Sequence, residues 1–144
     1  MVIKNATNKE DIEFCSAALL AFRPNLRPEV LTEQTLDMIE QGFRLIYIAE
    51  KENTHAVAIA GFRTFEMLRT GRIIYIDDLF TFQESRGKGY AGALLNYIHE
   101  LALQSGISSV HLDSGFSLHP AHRLYLNKGY FLACHHFAKM ISEH

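Results

Sequence analysis

The sequence predicts an α+β domain in which helices pack on a central sheet, with the element order β-α-α-β-β-β-α-β-α-β. Three observations support this prediction: two helical stripes near the N-terminus, three successive strand-type runs after them, and a glycine-rich loop that opens a third helix. The chain has 144 residues, of which 48% are hydrophobic, which suits one domain with a substantial core. Because no repeat, linker or low-complexity segment interrupts it, we expect residues 1–144 to form a single domain.

The N-terminal part is predicted to be one strand followed by two helices. Val2 to Ala6 has the composition of a short strand, and Thr7 with Glu10 forms a capping box that opens the first helix. Pro28 suits the first turn of the second helix, which Gly42 ends. The apolar stripe of the first helix comprises Ile12, Cys15, Leu19 and Phe22.

The middle of the chain carries three β-type runs, Phe43 to Ala49, His55 to Phe65 and Arg72 to Phe82. The segments between them, residues 51–54 and 68–71, have the length of turns, so an antiparallel meander is the simplest arrangement.

After the three β-type runs, the spacing of apolar residues changes from that of a strand to that of a helix. Tyr90 to Ser105 has apolar residues at helical spacing, typical of a helix packed on a sheet. Ile107 to Asp113 is predicted to be a strand, and His119-Pro120 opens a short helix that ends near Gly129. Tyr130 to Ile141 is predicted to be a long final strand.

Composition excludes several classes of function. With 14 basic and 16 acidic residues, a net charge of −2 does not provide the positive field that nucleic-acid binding requires. Cys15 and Cys134 lie in apolar runs without metal-ligand spacing, so we expect two buried thiols, no metal and a reducing compartment. The N-terminus does not resemble a signal peptide, and no apolar run approaches the roughly 20 residues of a membrane span. We therefore expect a cytoplasmic protein that binds neither nucleic acid nor membrane.

The glycines at positions 87, 89 and 92 match the spacing of the dinucleotide fingerprint, and Asp113 stands where a ribose-binding acid would be expected. However, residues 83–86 separate the strand from the first glycine, and the preceding strands predict a meander rather than a βαβ unit. Too little chain follows Gly92 to complete a doubly wound sheet. These features argue against NAD. A Walker P-loop is excluded because no Lys-Ser or Lys-Thr follows the glycines.

The loop nevertheless has the chemistry of an anion site. Glycines let the backbone approach a ligand closely, and free N–H groups at a helix start favour negative charge. Arg86 and Lys88 add two cations, which suits a pyrophosphate. The alternative is an ordinary glycine-rich turn with solvated basic side chains.

The chain resembles the GNAT superfamily of N-acetyltransferases over nearly all of its length. The family's phosphate-loop motif is matched by Arg86-Gly87-Lys88-Gly89-Tyr90-Ala91, and residues 121–131 resemble its tyrosine-bearing helix and the Gly-aromatic step after it. The resemblance implies the GNAT fold, a mixed and mostly antiparallel sheet of about six to seven strands with about four helices. Leu118 departs from the family pattern, which often has Asn before the tyrosine-bearing helix, and this puts one coenzyme contact in doubt.

The resemblance implies acetyl-coenzyme A as co-substrate, held between the fourth and fifth strands. Leu79, Phe80 and Thr81 would then form the strand edge that binds the coenzyme, and backbone groups of Leu79 and Thr81 would bond the amides of the pantetheine arm. The remaining coenzyme-binding residues that it implies are Arg86, Gly87, Lys88, Gly89, Tyr90, Ala91 and Gly92.

The implied reaction is acetyl transfer to a primary amine, most simply that of a small molecule. Tyr125 matches the position of the general acid, and Asp77 and Asp78 are candidates for attracting or deprotonating the amine. Strand alternation predicts that these two acids face opposite sides of the sheet. Asp113 and Ser114 are further candidates for binding the acceptor. A protein lysine or N-terminus as acceptor, a non-catalytic acetyl-coenzyme A-binding module, and a homodimer paired through the last strand remain open alternatives.

Overall fold

The computed structural model describes residues 2–142. The chain divides into two compact units, Met1–Leu112 and Asp113–His144, and each is described by itself. The single domain remains a prediction. None of the helices in residues 2–142 is long and apolar enough to cross a bilayer.

Within residues 2–142, the first unit contains three helices, five strands and one 3₁₀ turn, and the second contains one helix, in the predicted order through that helix. The elements of the first unit are β1 (Ile3–Asn5), α1 (Lys9–Phe22), α2 (Pro28–Glu40), β2 (Arg44–Ile48), β3 (Ala58–Met67), β4 (Gly71–Thr81), the 3₁₀ turn Gln83–Ser85, α3 (Tyr90–Gln104) and β5 (Ser109–Leu112). The helix of the second unit is α4 (His119–Asn127).

The five strands form one sheet in the order β1-β2-β3-β4-β5. The first three pairings are antiparallel, and β4 pairs with β5 in parallel from Ile73 opposite Ser109 to Ile76 opposite Leu112. The mixed, mostly antiparallel sheet and the meander of β2 to β4 are therefore confirmed. The strand count in residues 2–142 is five, slightly fewer than the six to seven expected.

A β-bulge interrupts the pairing of β3 with β4. Gly61 lies opposite Asp78, but its neighbour Phe62 lies opposite Ile76, so Asp77 is an extra residue on β4. A bulge of this kind re-aims the side chains on either side of it and increases the local twist. It lies where β4 leaves its paired stretch with β5.

Helices cover both faces of the sheet. Residues 45–48 on β2 are all buried, although consecutive strand residues point to opposite faces. Leu45 and Tyr47 belong to a core cluster with Ile12, Cys15 and Leu31 of α1 and α2. Helix α3 contacts β2 through β5 and contributes a separate set of buried residues, Leu94, Leu95, Ile98 and Ala102.

The cap of α1 lies one residue later than predicted. Asn8, not Thr7, is the N-cap, and its Oδ1 accepts a hydrogen bond from the Asp11 amide at 2.9 Å. Asp11 Oδ2 in turn accepts from the Thr7 amide at 3.0 Å. Asn and Asp perform here the reciprocal capping that we assigned to Thr7 and Glu10.

The predicted final strand is absent from the described part of the second unit. Residues 130–140 carry neither helix nor strand. An alternating apolar pattern satisfies only the side-chain requirement of a strand, which also needs a neighbouring backbone to complete its hydrogen-bond ladder. Cys15 is buried as expected, but Cys134 is exposed because it lies in this segment, so the prediction of two buried thiols is wrong for Cys134.

Candidate functional site

The loop before α3 has the backbone conformation that its glycines predict. Gly87 and Gly89 have φ angles of 81° and 82°, in the left-handed region where a Cβ is unfavourable, and Gly89 is the N-cap of α3. The N–H of Ala93 bonds the Gly89 carbonyl at 3.0 Å, which begins the helical ladder. The N–H groups before Ala93 precede this ladder and have no earlier helical carbonyl to bond. A helix start of this kind suits an anion.

Two of the predicted phosphate ligands are engaged with other parts of the first unit. Arg86 Nε donates to the carbonyl of Thr81 at 3.1 Å, which ties the loop to the end of β4. Lys88 Nζ lies 2.8 Å from Glu50 Oε2, forming an ion pair. The hydrogen bond from Lys88 lowers the pKa of Glu50, and the same bond raises the pKa of Lys88.

Glu50 also accepts from both ends of the loop. Its Oε2 accepts from the Tyr90 hydroxyl at 3.1 Å, and its Oε1 accepts from Ser85 Oγ at 3.0 Å. We call Glu50, Ser85, Lys88 and Tyr90 the Glu50 cluster. It connects the segment after β2 to the 3₁₀ turn and to the start of α3, and these contacts hold the glycine loop in position.

The C-terminal part of β4 pairs with β3 alone. Pairing with β5 ends at Ile76, whereas β4 continues to Thr81. The Phe82 amide bonds the Val57 carbonyl at 3.0 Å, so by alternation the backbone groups of Phe80 also face β3, while those of Leu79 and Thr81 face away from it. The ring of Phe80 packs at 5.5 Å on Phe22. Leu79 and Thr81 therefore offer the strand edge that the sequence analysis expected at this place.

A cavity of about 270 Å³ lies between the α1–α2 segment and β4. Five of its eleven lining residues are apolar, and its charged residues are Asp77 and Asp78 on β4 and Arg23 at the end of α1. The lining residues are Leu19, Arg23, Asn25, Leu26, Leu31, Gln34, Thr35, Met38, Phe43, Asp77 and Asp78. Asp78 Oδ2 and the ring of Phe43 lie together beside Gly61. The Arg63 guanidinium that binds the Asp77 carboxylate lies over the same ring, so the prediction that the two acids face opposite sides is wrong. The bulge at Asp77 breaks the alternation on which that prediction rested.

Each of the two acids is paired with an arginine. Asp77 accepts hydrogen bonds from Arg63 Nε on β3, at 3.0 Å to Oδ1 and 3.1 Å to Oδ2. Asp78 Oδ1 lies 2.9 Å from Arg23 Nη2, and the Asp78 side chain is only 15% exposed. Burial raises the pKa of Asp78 above its ordinary value, and the ion pair with Arg23 offsets part of that effect. Asp78 is therefore a carboxylate that accepts a proton more readily than an exposed one.

Tyr125, Asp113 and Ser114 belong to the second unit. Tyr125 lies on α4, where its ring packs 5.8 Å from that of Tyr130, and burial raises its pKa. Asp113 Oδ2 lies 2.9 Å from His136 Nδ1, and Ser114 follows in the segment before α4. Asp113 is thus engaged with a histidine of its own unit.

Sequence reasoning missed three residues of these sites, Glu50, Arg23 and Arg63. Glu50 is far from the loop in sequence, and only the path of the chain after β2 brings it there. Arg63 had a weak signal, because a charged residue inside an apolar strand next to a strand with two acids suggests a cross-strand pair. Arg23 had none beyond its place at the end of α1.

Comparisons with known proteins agree on one family. Residues 13–130 match the model of the Acetyltransferase (GNAT) family. The chain is 30% identical over 140 residues to the "Uncharacterized N-acetyltransferase YhdJ" of Bacillus subtilis, covering 96% of this chain and 98% of that protein.

Solved structures share the fold at lower identity. A ribosomal-protein-alanine N-acetyltransferase from Brucella melitensis biovar Abortus matches with a TM-score of 0.82 and 16% identity, over 98% of this chain and 100% of that one. The aminoglycoside N-acetyltransferase AAC(6')-Iy in complex with CoA matches with a TM-score of 0.83 and 11% identity, over 98% of this chain and 95% of that one. The chain belongs to the GNAT family and is an acetyl-transferring enzyme.

Proposed function

We propose that the protein transfers the acetyl group of acetyl-coenzyme A to the primary amine of a small molecule. The observation that carries this proposal is the combination, in the first unit, of a glycine-capped helix start with a strand edge free of β5 beyond Ile76. The first suits a pyrophosphate, and the second suits the amides of an extended arm.

The residues present fit acetyl-coenzyme A. A Cβ built on Gly87 or Gly89 would meet no atom within 4 Å, so there is open space beside both glycines. Leu79 and Thr81 would pair with the arm, and the N–H groups from Gly87 to Gly92 would hold the phosphates. When bound, the co-substrate supplies a thioester whose carbonyl is open to attack by a neutral amine.

The acceptor amine is proposed to bind in the cavity beside β4. The volume of this cavity, about 270 Å³, is below the usual range for drug-sized ligands, which suits a small acceptor. A protonated amine must lose its proton before it attacks. Asp78 is the proposed base, because its partial burial makes it a better proton acceptor near neutrality than an exposed aspartate. Asp77, held by Arg63, is proposed to orient the amine rather than to deprotonate it.

Tyr125 is proposed to donate a hydrogen bond to the departing thiolate. A tyrosine with a pKa near 10 is a weaker acid than a thiol near 8.5, so complete proton transfer would be uphill by about 2 kcal/mol. Burial of Tyr125 raises its pKa further, which favours hydrogen-bond donation over transfer of the proton. Asp113 and Ser114 are proposed as additional acceptor contacts.

The test is amine-dependent release of free thiol from acetyl-coenzyme A, measured with wild type and with Tyr125→Phe. Turnover of a small amine by wild type, and a loss of about a hundredfold or more in kcat with unchanged coenzyme affinity in the variant, would support the proposal. The matched control is Tyr130→Phe, which removes the neighbouring hydroxyl and should keep most of kcat. Tight coenzyme binding without turnover of any amine would favour a binding module. Transfer of labelled acetyl groups into proteins of a lysate, but not into small amines, would favour a protein acceptor.

A further inference from the structure

The cavity beside β4 combines an apolar wall with charges of both signs. Five of its lining residues are apolar, namely Leu19, Leu26, Leu31, Met38 and Phe43. The charged groups are the two aspartates of the bulge and Arg23. A pocket for an acceptor that carries only positive charge is expected to contain acidic residues without basic ones. This cavity contains both.

The formal charge of the ion pairs at the cavity is zero. Arg63 neutralises Asp77, and Arg23 neutralises Asp78, so two carboxylates are balanced by two guanidinium groups. An ammonium ion that takes Asp78 as its partner competes with Arg23 for the same carboxylate. This competition costs the least binding free energy when the ligand also carries an anionic group, which takes the place of the Asp78 carboxylate beside Arg23.

Arg23 has donors left for such an anion. Its Nε donates to Asp78 Oδ1 at 3.0 Å, and its Nη2 lies 2.9 Å from Asp78 Oδ1 and donates to the Asp77 carbonyl at 3.0 Å. Nη1 takes no part in these contacts. A guanidinium carries five N–H groups in a planar fork that matches a carboxylate, so Nη1 can donate to a carboxylate of the ligand.

The position of the Arg23 guanidinium is fixed by local structure. Its amide caps α1 by bonding the Leu19 carbonyl at 2.8 Å, and the guanidinium lies 4.2 Å from the centre of the Phe22 ring. The side chain is nevertheless 46% exposed, so a ligand can reach it. A cation that is held in place and accessible is suited to recognition.

We propose that the acceptor is a small amine that also carries a carboxylate, such as an amino acid with an apolar side chain, and that Arg23 selects it by binding the carboxylate. This inference rests on the proposed function, since it assigns the acceptor class of the same site. In this arrangement the ammonium group meets Asp78, the carboxylate meets Arg23, and the apolar side chain fills the wall formed by Leu26, Leu31 and Met38. Polyamines and aminoglycosides, which carry several cations and no anion, are poor acceptors.

The test compares three ligands of one shape: L-leucine, L-leucinamide, which replaces the carboxylate by a neutral amide, and isoamylamine, which lacks it. Binding to the full chain is measured by calorimetry in the presence of coenzyme A, and thiol release is measured separately with acetyl-coenzyme A. We expect L-leucine to bind at least about tenfold more tightly than the other two. Arg23→Gln should remove that preference.

Arg63→Gln is the matched control, because it also removes a guanidinium that pairs with one of the two aspartates but does not line the cavity. Because it leaves Asp77 unpaired, Arg63→Gln should reduce the preference for L-leucine through charge alone, but the preference should survive, since the guanidinium that binds the carboxylate remains. Thermal unfolding and coenzyme affinity of both variants establish that they are folded. Equal or tighter binding of isoamylamine, or a preference for L-leucine that survives Arg23→Gln, would overturn the inference. Selective binding of L-leucine without thiol release would support the acceptor class and count against the proposed reaction, so the two failures are distinguishable.

Discussion

The carboxylate of Glu50 forms an ion pair with Lys88, with 2.8 Å between Oε2 and Nζ, inside the loop proposed to hold a pyrophosphate. Lys88, one of the two cations of the loop, is therefore neutralised by an acid from another part of the chain. An incoming phosphate must share Lys88 with Glu50 or displace it. The Glu50 cluster thus acts in two opposing ways, since it orders the loop and also weakens its positive charge.

Removing the charge of Glu50 while keeping a side chain of the same shape separates these two effects. Glu50→Gln keeps one oxygen that can accept from Ser85 or Tyr90, and its amide nitrogen can donate to the other hydroxyl oxygen, but the neutral side chain competes less with a phosphate for Lys88. We expect Glu50→Gln to bind coenzyme A about two to five times more tightly at low ionic strength, with the gain reduced at high salt because the effect is electrostatic. Titration calorimetry at two salt concentrations measures this.

The control for Glu50→Gln is Glu52→Gln, which makes the same change of charge at an exposed position of the same turn. It should alter the affinity much less. An equal gain in both variants would mean that net charge, not release of Lys88, is responsible. If Glu50→Gln alone binds coenzyme A more weakly, the ion pair contributes more to coenzyme binding by ordering the loop than it costs by neutralising Lys88.

Gly89 is the position where the loop most needs a glycine. Its φ of 82° is left-handed, and no atom within 4 Å obstructs a Cβ, so the cost of a substitution is conformational rather than steric. We expect Gly89→Ala to destabilise the protein by about 1–2 kcal/mol and to weaken coenzyme binding. Gly89→Asn should cost less, because asparagine tolerates the left-handed region better than alanine. Urea unfolding of both variants tests this order, and equal losses would contradict it.

Asp78 should make stability depend on pH in a direction opposite to that of an ordinary ion-paired carboxylate. Burial raises its pKa above the ordinary 3.8, so the folded state binds the proton more tightly than the unfolded state does. Its contribution to stability is therefore greatest at low pH and is lost as pH rises through the raised pKa. Relative to wild type, Asp78→Asn should gain stability as pH rises from the ordinary 3.8 through the raised pKa.

Urea unfolding of wild type and Asp78→Asn at several pH values gives this difference directly. Loss of the ion pair with Arg23 adds an offset, but the slope with pH reports on Asp78. Asp37→Asn, at an exposed position of α2, is the control for the loss of one carboxylate. A difference that is flat or falls with increasing pH would contradict the prediction.

Most elements of the fold were predictable because each depends on a local pattern. The stripe at Ile12, Cys15 and Leu19 and the N1 proline at Pro28 place two helices within a residue or two of their observed bounds. The final strand was not predictable, because pairing depends on a partner backbone, which the pattern of residues 130–141 does not specify.

The glycine loop could be predicted in position and conformation, but its electrostatics could not. Gly87 and Gly89 have the left-handed φ that their spacing suggests. The pairing of Lys88 with Glu50 depends on how far the chain after β2 extends, and no sequence spacing encodes this. The orientation of Asp77 and Asp78 depends on a bulge whose flanking residues include no glycine or proline on β4. Strict alternation was therefore the natural expectation and gave the wrong answer.

The two cysteines should differ sharply in reactivity. Burial, aided by the charge of Asp11, raises the pKa of Cys15 to about 12, so the thiolate fraction at pH 8 is about 10⁻⁴ and the sulfur is also inaccessible. Cys134 is exposed. We expect a disulfide reagent to modify one thiol rapidly in the native protein and the second only at the rate of unfolding, with both reacting rapidly in urea. Cys134→Ser should abolish the fast phase, and Cys15→Ser should leave it unchanged. Two slow thiols in the native protein would show that residues 130–141 are covered in solution, as a paired final strand would require.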